Sequence, residues 1–164
     1  DALTGVFNRR GLMAAVEKAQ ADAICTGRPW ALAVVDIDHF KRFNDRFGHA
    51  MGDDVLRFVA SHLAERLETD GGFVGRLGGE EFVGVMPATS VQAAAGRIDR
   101  IRADLAGQVL RSAVDGSSMG RISFSAGVAE HRAGQGPDQL IERADGALYT
   151  AKRLGRDRVV PDRG

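Results

Sequence analysis

The sequence of 164 residues contains a single cysteine, Cys25. One thiol can form no intrachain disulfide and no thiolate metal cluster. That suits a reducing compartment, and the chain is expected to be cytoplasmic. An excess of charge of one sign is also missing. Lys plus Arg and Asp plus Glu both total 22, and the formal net charge is +0. A nucleic-acid partner would need a clustered basic excess, so none is expected, although a few local cations can still hold a small anion. Long apolar runs are absent. The longest obvious one, Trp30 to Val35, is far too short to span a bilayer, and no basic start leads into a signal-like stretch. No membrane contact by this domain is expected. The four histidines (His39, His49, His62 and His131) show no metal-ligand spacing, and there is no internal repeat, low-complexity tract or linker.

The length suits one domain over residues 1–164 with a single core. Helix formers fill residues 9–25, and Gly27-Arg28-Pro29 ends that segment. The run from Trp30 to Val35 reads as a buried central strand closed by Asp36 and Asp38, which period-2 geometry places on one face. A short helical turn is expected over Phe40 to Phe47, closed by Gly48. An apolar stripe at positions 55, 56, 59, 60, 63 and 67 marks a helix from Asp53, with Asp53 as a candidate N-cap.

Strands at Phe73 to Leu77 and Phe82 to Met86 flank Gly78-Gly79, which reads as the hairpin turn. Ser90 caps a helix running to about Leu105. Val109 to Val114, Asp115-Gly116 and Arg121 to Ala129 read as a second hairpin. Pro137 opens a last helix that Gly155 closes, and Arg158 to Val160 forms a final strand. The order predicts an α+β fold: a mainly antiparallel sheet with a βαββαβ ferredoxin-like core, flanking helices and an extra hairpin.

Two acidic features carry chemistry. A divalent ion bound with a triphosphate needs one or two protein carboxylates, and phosphate oxygens and water fill its other positions. Asp36, at the end of a rigid strand, is one candidate. Glu80 and Glu81 follow two glycines that leave room for a polyphosphate, and Glu80 meets Asp36 if the hairpin lies beside that strand. Carboxylates that close would raise each other's pKa unless a cation sat between them.

Gly78-Gly79-Glu80-Glu81-Phe82 resembles the signature of the GGDEF family, the diguanylate cyclases, with Glu in the variable third position. Asp1-Ala2-Leu3-Thr4-Gly5-Val6-Phe7-Asn8-Arg9-Arg10 resembles the family's opening segment. Asp36-Ile37-Asp38-His39-Phe40-Lys41, Asn44-Asp45, Phe47-Gly48-His49 and Gly52-Asp53 resemble its nucleotide-binding stretch. Ser125-Ala126-Gly127-Val128-Ala129 and Ala147-Leu148-Tyr149-x-Ala151-Lys152-x-x-Gly155-Arg156 resemble its later strand and closing helix. The resemblance spans essentially the whole chain and implies a sheet of the nucleotidyl-cyclase or palm type. Because the chain starts inside the opening motif, a catalytic domain cut from a longer sensor protein is expected.

The resemblance implies condensation of two GTP into cyclic di-GMP with release of pyrophosphate. Asp36, the Ile37 carbonyl and Glu80 would ligate Mg²⁺ or Mn²⁺, and Glu80 or Glu81 would take the proton of the attacking 3′-hydroxyl. Asn44 and Asp53 would read guanine, whose N1–H and exocyclic amine suit a carboxylate acceptor. Lys41, Lys152 and Arg156 would contact phosphate, with His39, Phe40, Gly78 and Gly79 also lining the substrate site. Lys152 and Arg156 share a direction only if the helix continues past Gly155.

One site binds one GTP, so a symmetric homodimer is implied, with an N-terminal sensory or regulatory domain upstream. The family's inhibitory product site, Arg-x-x-Asp, is expected to be absent, because Thr69 and Gly72 stand at its two positions. Asp157 replaces a frequent Asn, with little effect expected. A non-catalytic GTP-binding module and a cyclase making another product are the competing readings. Intact Asp36, Glu80 and Glu81 favour the enzyme, and Asp53 favours guanine.

Overall fold

The structure, a computed structural model, describes residues 1–111 and 116–164. Helix α1 spans Arg9–Thr26, with the Asn8 side chain accepting from Gly11 N at 2.9 Å as its N-cap. Strand β1 (Ala31–Ile37) leads into α2 (Phe40–Phe47) and α3 (His49–Leu67). The hairpin β2 (Phe73–Gly78) and β3 (Glu81–Met86) follows, then α4 (Val91–Ala106). A small hairpin, β4 (Leu110–Arg111) with β5 (Ser118–Gly120), precedes β6 (Phe124–Glu130), α5 (Pro137–Arg153) and β7 (Val159–Pro161).

The main sheet has the order β2-β3-β1-β6-β7. β1 is antiparallel to both β3 and β6, and only β6 and β7 run parallel. Without β7, this is the antiparallel sheet of a βαββαβ unit with the first strand at its centre. β1 is buried along its whole length, and its alternate residues serve two cores. Ala31, Ala33, Val35 and Ile37 pack with Val59, Leu63, Ile98 and Ile101 of α3 and α4. Trp30, Leu32 and Val34 pack with Leu12, Val16, Leu140 and Leu148 of α1 and α5. Burying each large apolar side chain contributes roughly 1.5–3 kcal/mol, so helices on both faces hold the sheet.

Several expectations shift. α3 begins at His49 with Gly48 at its N-cap, so Asp53 lies inside the helix and caps nothing. The glycine-rich hairpin turns one residue later than expected: β2 runs to Gly78, Gly78 pairs with Glu81, and Gly79-Glu80 form the tip. A bulge between Arg76 and Gly78 accounts for the slip. The second hairpin's return arm is Ser118–Gly120, whereas Phe124–Glu130 belongs to the main sheet beside β1. Apolar alternation alone cannot distinguish a hairpin arm from a central strand. Of the expected first arm and its Asp115-Gly116 turn, residues 112–115 lie outside the described residues.

Candidate active site

The site is built where β1 ends. Asp36 has the parity of Leu32 and Val34, so it points to the side of the sheet covered by α5. There its Oδ2 lies 2.8 Å from the Lys152 Nζ. β3 pairs with β1 so that Glu81 stands opposite Asp36, and Ile37 N donates to the Glu80 carbonyl at 3.4 Å. A cavity of about 270 Å³ at this strand end is lined by Asp36, Ile37, His39, Phe40, Lys41, Arg42, Glu80, Lys152 and Arg156. Two larger hollows lie away from these carboxylates, one between α1 and the far ends of the strands and one between α5 and β7.

Eight residues named from sequence thus converge on one cavity, and Arg42 joins them unanticipated. Its position directly after Lys41 was the available signal. Glu81 does not line this cavity but stands beside it across the strand pair. Gly79 has φ 52°, a left-handed conformation that glycine takes without penalty. A Cβ built on Gly78 or Gly79 would meet nothing within 4 Å, so the turn is open to a ligand.

Arg76, which the sequence reading missed, holds this turn. Its Nε and one terminal nitrogen donate to the Gly79 carbonyl at 3.0 and 2.8 Å, and the other donates to Asp1 Oδ1 at 3.2 Å. Asp1 is positioned by Thr4, whose N–H and hydroxyl both donate to it. The opening segment is therefore a clamp on the acidic turn.

Burial raises the pKa of Asp36 above the ordinary carboxylate value. The hydrogen bond and charge of Lys152 oppose this, and Glu80 and Asp38 add to it. Glu81 is raised as well, first by burial and then by the charge of Asp36. The donor set suits a divalent cation held with a polyphosphate: Asp36 and Glu80 supply carboxylate oxygens, and Lys41, Arg42, Lys152 and Arg156 supply positive charge around the same cavity. No group of three His, Cys, Asp or Glu among the described residues closes a cage. That fits an ion completed by phosphate oxygens and water.

Asp38 has a different task from Asp36. It is 6% exposed, and its carboxylate accepts from the Ser123 and Ser125 hydroxyls at 2.8 and 2.7 Å and from Asp157 N at 3.0 Å. The last bond fixes a turn in which Arg156 and Asp157 both adopt left-handed φ, 64° and 47°. This turn brings Arg156 to the cavity beside Lys152, although α5 has already ended at Arg153. The helix does not need to continue past Gly155. Asp tolerates this left-handed conformation, and the Asp157 carboxylate accepts from Arg102 at 2.7 Å.

Asn44 lies on α2 and Asp53 on α3, away from the phosphate-sized cavity. The Asn44 side chain rests on Gly52, where any Cβ would fall 1.8 Å from its Oδ1. That oxygen is buried and unpaired, next to the residue preceding Asp53.

Residues 1–158 match the family described as diguanylate cyclase, GGDEF domain. The chain belongs to the GGDEF family. This GGDEF domain is 43% identical over 159 residues to the diguanylate cyclase DgcP of Pseudomonas aeruginosa, covering 97% of this chain and 23% of that protein. It is 39% identical over 161 residues to the diguanylate cyclase VdcA of Vibrio cholerae, covering 98% of this chain and 46% of that protein. The chain therefore spans less than half the length of these curated relatives. The GGDEF domain of DgcB from Caulobacter crescentus, solved in complex with c-di-GMP, aligns with a TM-score of 0.94 at 38% identity, covering 100% and 93% of the two chains. The active GGEEF domain of a diguanylate cyclase from Vibrio cholerae aligns with a TM-score of 0.87 at 36% identity, covering 97% and 99%. Among the described residues, no helix of this GGDEF domain is long and apolar enough to cross a membrane.

Proposed function

We propose that this chain is the catalytic domain of a diguanylate cyclase that condenses two GTP into cyclic di-GMP and two pyrophosphates. The observation that carries the reading is the convergence of Asp36, Glu80, Lys41, Lys152 and Arg156 on one cavity, with Glu81 opposite Asp36. Names of relatives support it, and so does the cyclic dinucleotide bound by the DgcB domain.

In each half-reaction a 3′-oxygen forms a bond to the α-phosphorus of a second GTP, and the bond from that phosphorus to the pyrophosphate oxygen breaks. The 3′-hydroxyl proton passes to Glu80 or Glu81, both beside the cavity. Lys41, Lys152 and Arg156 neutralise the triphosphate, and Lys152 exchanges Asp36 for phosphate when the nucleotide enters. Asp36, Glu80 and the Ile37 carbonyl hold Mg²⁺ or Mn²⁺. The ion supplies polarisation of the α-phosphate and neutralises the leaving charge.

Asn44 and Asp53 select guanine, the Asp53 carboxylate accepting from its N1–H and exocyclic amine. His39, Phe40, Gly78 and Gly79 shape the entrance. Two copies face each other in a homodimer, because each supplies one GTP. The longer relatives support a parent protein with an additional region, which we take to be regulatory; the catalytic domain is assigned to the cytoplasm. Thr69 and Gly72 leave the Arg-x-x-Asp product site unbuilt.

The deciding experiment incubates concentrated protein with GTP and Mg²⁺ and analyses the products by mass spectrometry. Cyclic di-GMP and pyrophosphate are expected, with Glu81→Lys inactive. A folded protein that yields no cyclic dinucleotide would falsify the activity.

A further inference from the structure

Helix α5 presents a surface to the carboxylate cluster that the proposed chemistry leaves unused. Asp145, Tyr149 and Lys152 follow at spacings of four and three, so they form one stripe on the helix. Both ends of the stripe act on the site: the Asp145 charge bears on Glu81, and the Lys152 ammonium lies 2.8 Å from Asp36. Tyr149 lies between them, 63% exposed, and is the only tyrosine of the chain. One turn further, the Arg153 guanidinium lies over its ring, 6.0 Å from the centroid. Arg153 is exposed, and it enters no ion pair among the described residues.

Neither side chain contributes to the core. Aromatic rings and guanidinium planes are both surfaces on which nucleosides stack, and the two lie side by side here. On the cyclase reading a second nucleoside must come close to this helix. The attacking 3′-oxygen belongs to the GTP held by the facing copy, and its ribose must approach the α-phosphorus beside Asp36 and Lys152. The stripe borders that approach.

We propose that Tyr149 and Arg153 form a stacking platform that acts in trans, packing against the ribose and guanine of the GTP held by the facing copy. The platform holds the incoming 3′-hydroxyl in line for attack. This inference rests on the cyclase reading above and adds a role distinct from guanine selection at Asn44 and Asp53.

The test compares wild type, Tyr149→Phe, Tyr149→Ala and Arg153→Ala in the full 164-residue chain. Three quantities are measured: the saturating rate of cyclic di-GMP formation over a protein dilution series, the affinity of dilute protein for a non-hydrolysable GTP analogue, and thermal unfolding. Tyr149→Ala is expected to lower the rate about ten-fold, the scale of one lost stacking contact. Tyr149→Phe should stay near wild type, Arg153→Ala should show a smaller loss, and all should keep wild-type analogue affinity and unfolding temperature. Wild-type rates in Tyr149→Ala overturn the platform. So does an analogue affinity that falls in step with the rate, because the ring would then serve its own copy's nucleotide. If Tyr149→Ala fails to fold, a wild-type rate in Arg153→Ala overturns the proposal instead. A wild-type protein that binds the analogue yet makes no cyclic dinucleotide overturns the cyclase reading itself, and the platform with it.

Discussion

Asp36 is 8% exposed and sits close to Asp38, Glu80 and Glu81, with Lys152 as the ammonium that meets it directly. The raised pKa of Glu81 has a definite sign for stability. Below the ordinary carboxylate range both folded and unfolded states are protonated, and the group has no effect. As pH rises through the interval up to the folded-state value, the unfolded chain ionises first and stability falls. Glu81→Gln removes this penalty. In metal-free buffer at neutral pH its unfolding midpoint is expected to rise by roughly 2–4 °C for each kcal/mol regained, with no gain at acid pH. Calorimetry across a pH series measures this, and millimolar Mg²⁺ should narrow the gap by stabilising wild type more. Asp53→Ala belongs to the same level. If Asp53 is the guanine acceptor proposed above, preference for GTP over ATP in competitive binding should collapse, while Asp36 and Glu80 stay in place.

How closely α5 approaches the sheet is set at one glycine of β6. A Cβ on Gly127 of β6 would lie 2.0 Å from the Ala144 carbonyl and 2.2 Å from Leu148 N, so the helix backbone rests directly on the strand. Gly127→Ala must push α5 outward. A loss of about 1–3 kcal/mol is expected in urea unfolding, with weaker GTP binding because Lys152 moves with the helix. The β2–β3 hairpin sets a second constraint. Gly72, just before β2, is enclosed by the Val85 and Leu67 carbonyls, 2.6 and 2.7 Å from any added Cβ. Thr69→Arg with Gly72→Asp should therefore destabilise the hairpin and fail to install product inhibition. Cyclic di-GMP titrated into the assay measures the inhibition.

For the molecule as a whole, the described residues form a cavity of about 270 Å³ at the strand end that bears Asp36 and Glu80. The proposed reaction joins two nucleotides, so specific activity is expected to rise with protein concentration and level off when the proposed dimer is full. Activity measured over a hundred-fold dilution checks this, and a rate per copy independent of concentration would count against the facing-dimer arrangement.

Much of this site was legible in the sequence because its key residues are local in the chain. A strand ending in Asp36 and a glycine turn leading to Glu80 and Glu81 state their chemistry through residue type and spacing, and period-2 parity assigns Asp36 its face. The βαββαβ order likewise follows from apolar periodicity. What the sequence could not show was which distant groups meet. Asp36 and Asp38 look equivalent two residues apart, yet one meets Lys152 at the cavity while the other is consumed by Ser123, Ser125 and the Asp157 amide. The Arg76 clamp, the seat of α5 on Gly127 and the left-handed turn delivering Arg156 are long-range as well. Residue type and spacing determine local conformation and chemical capacity. Only the packed sheet and helices decide which of those capacities is already satisfied and which is left facing a ligand.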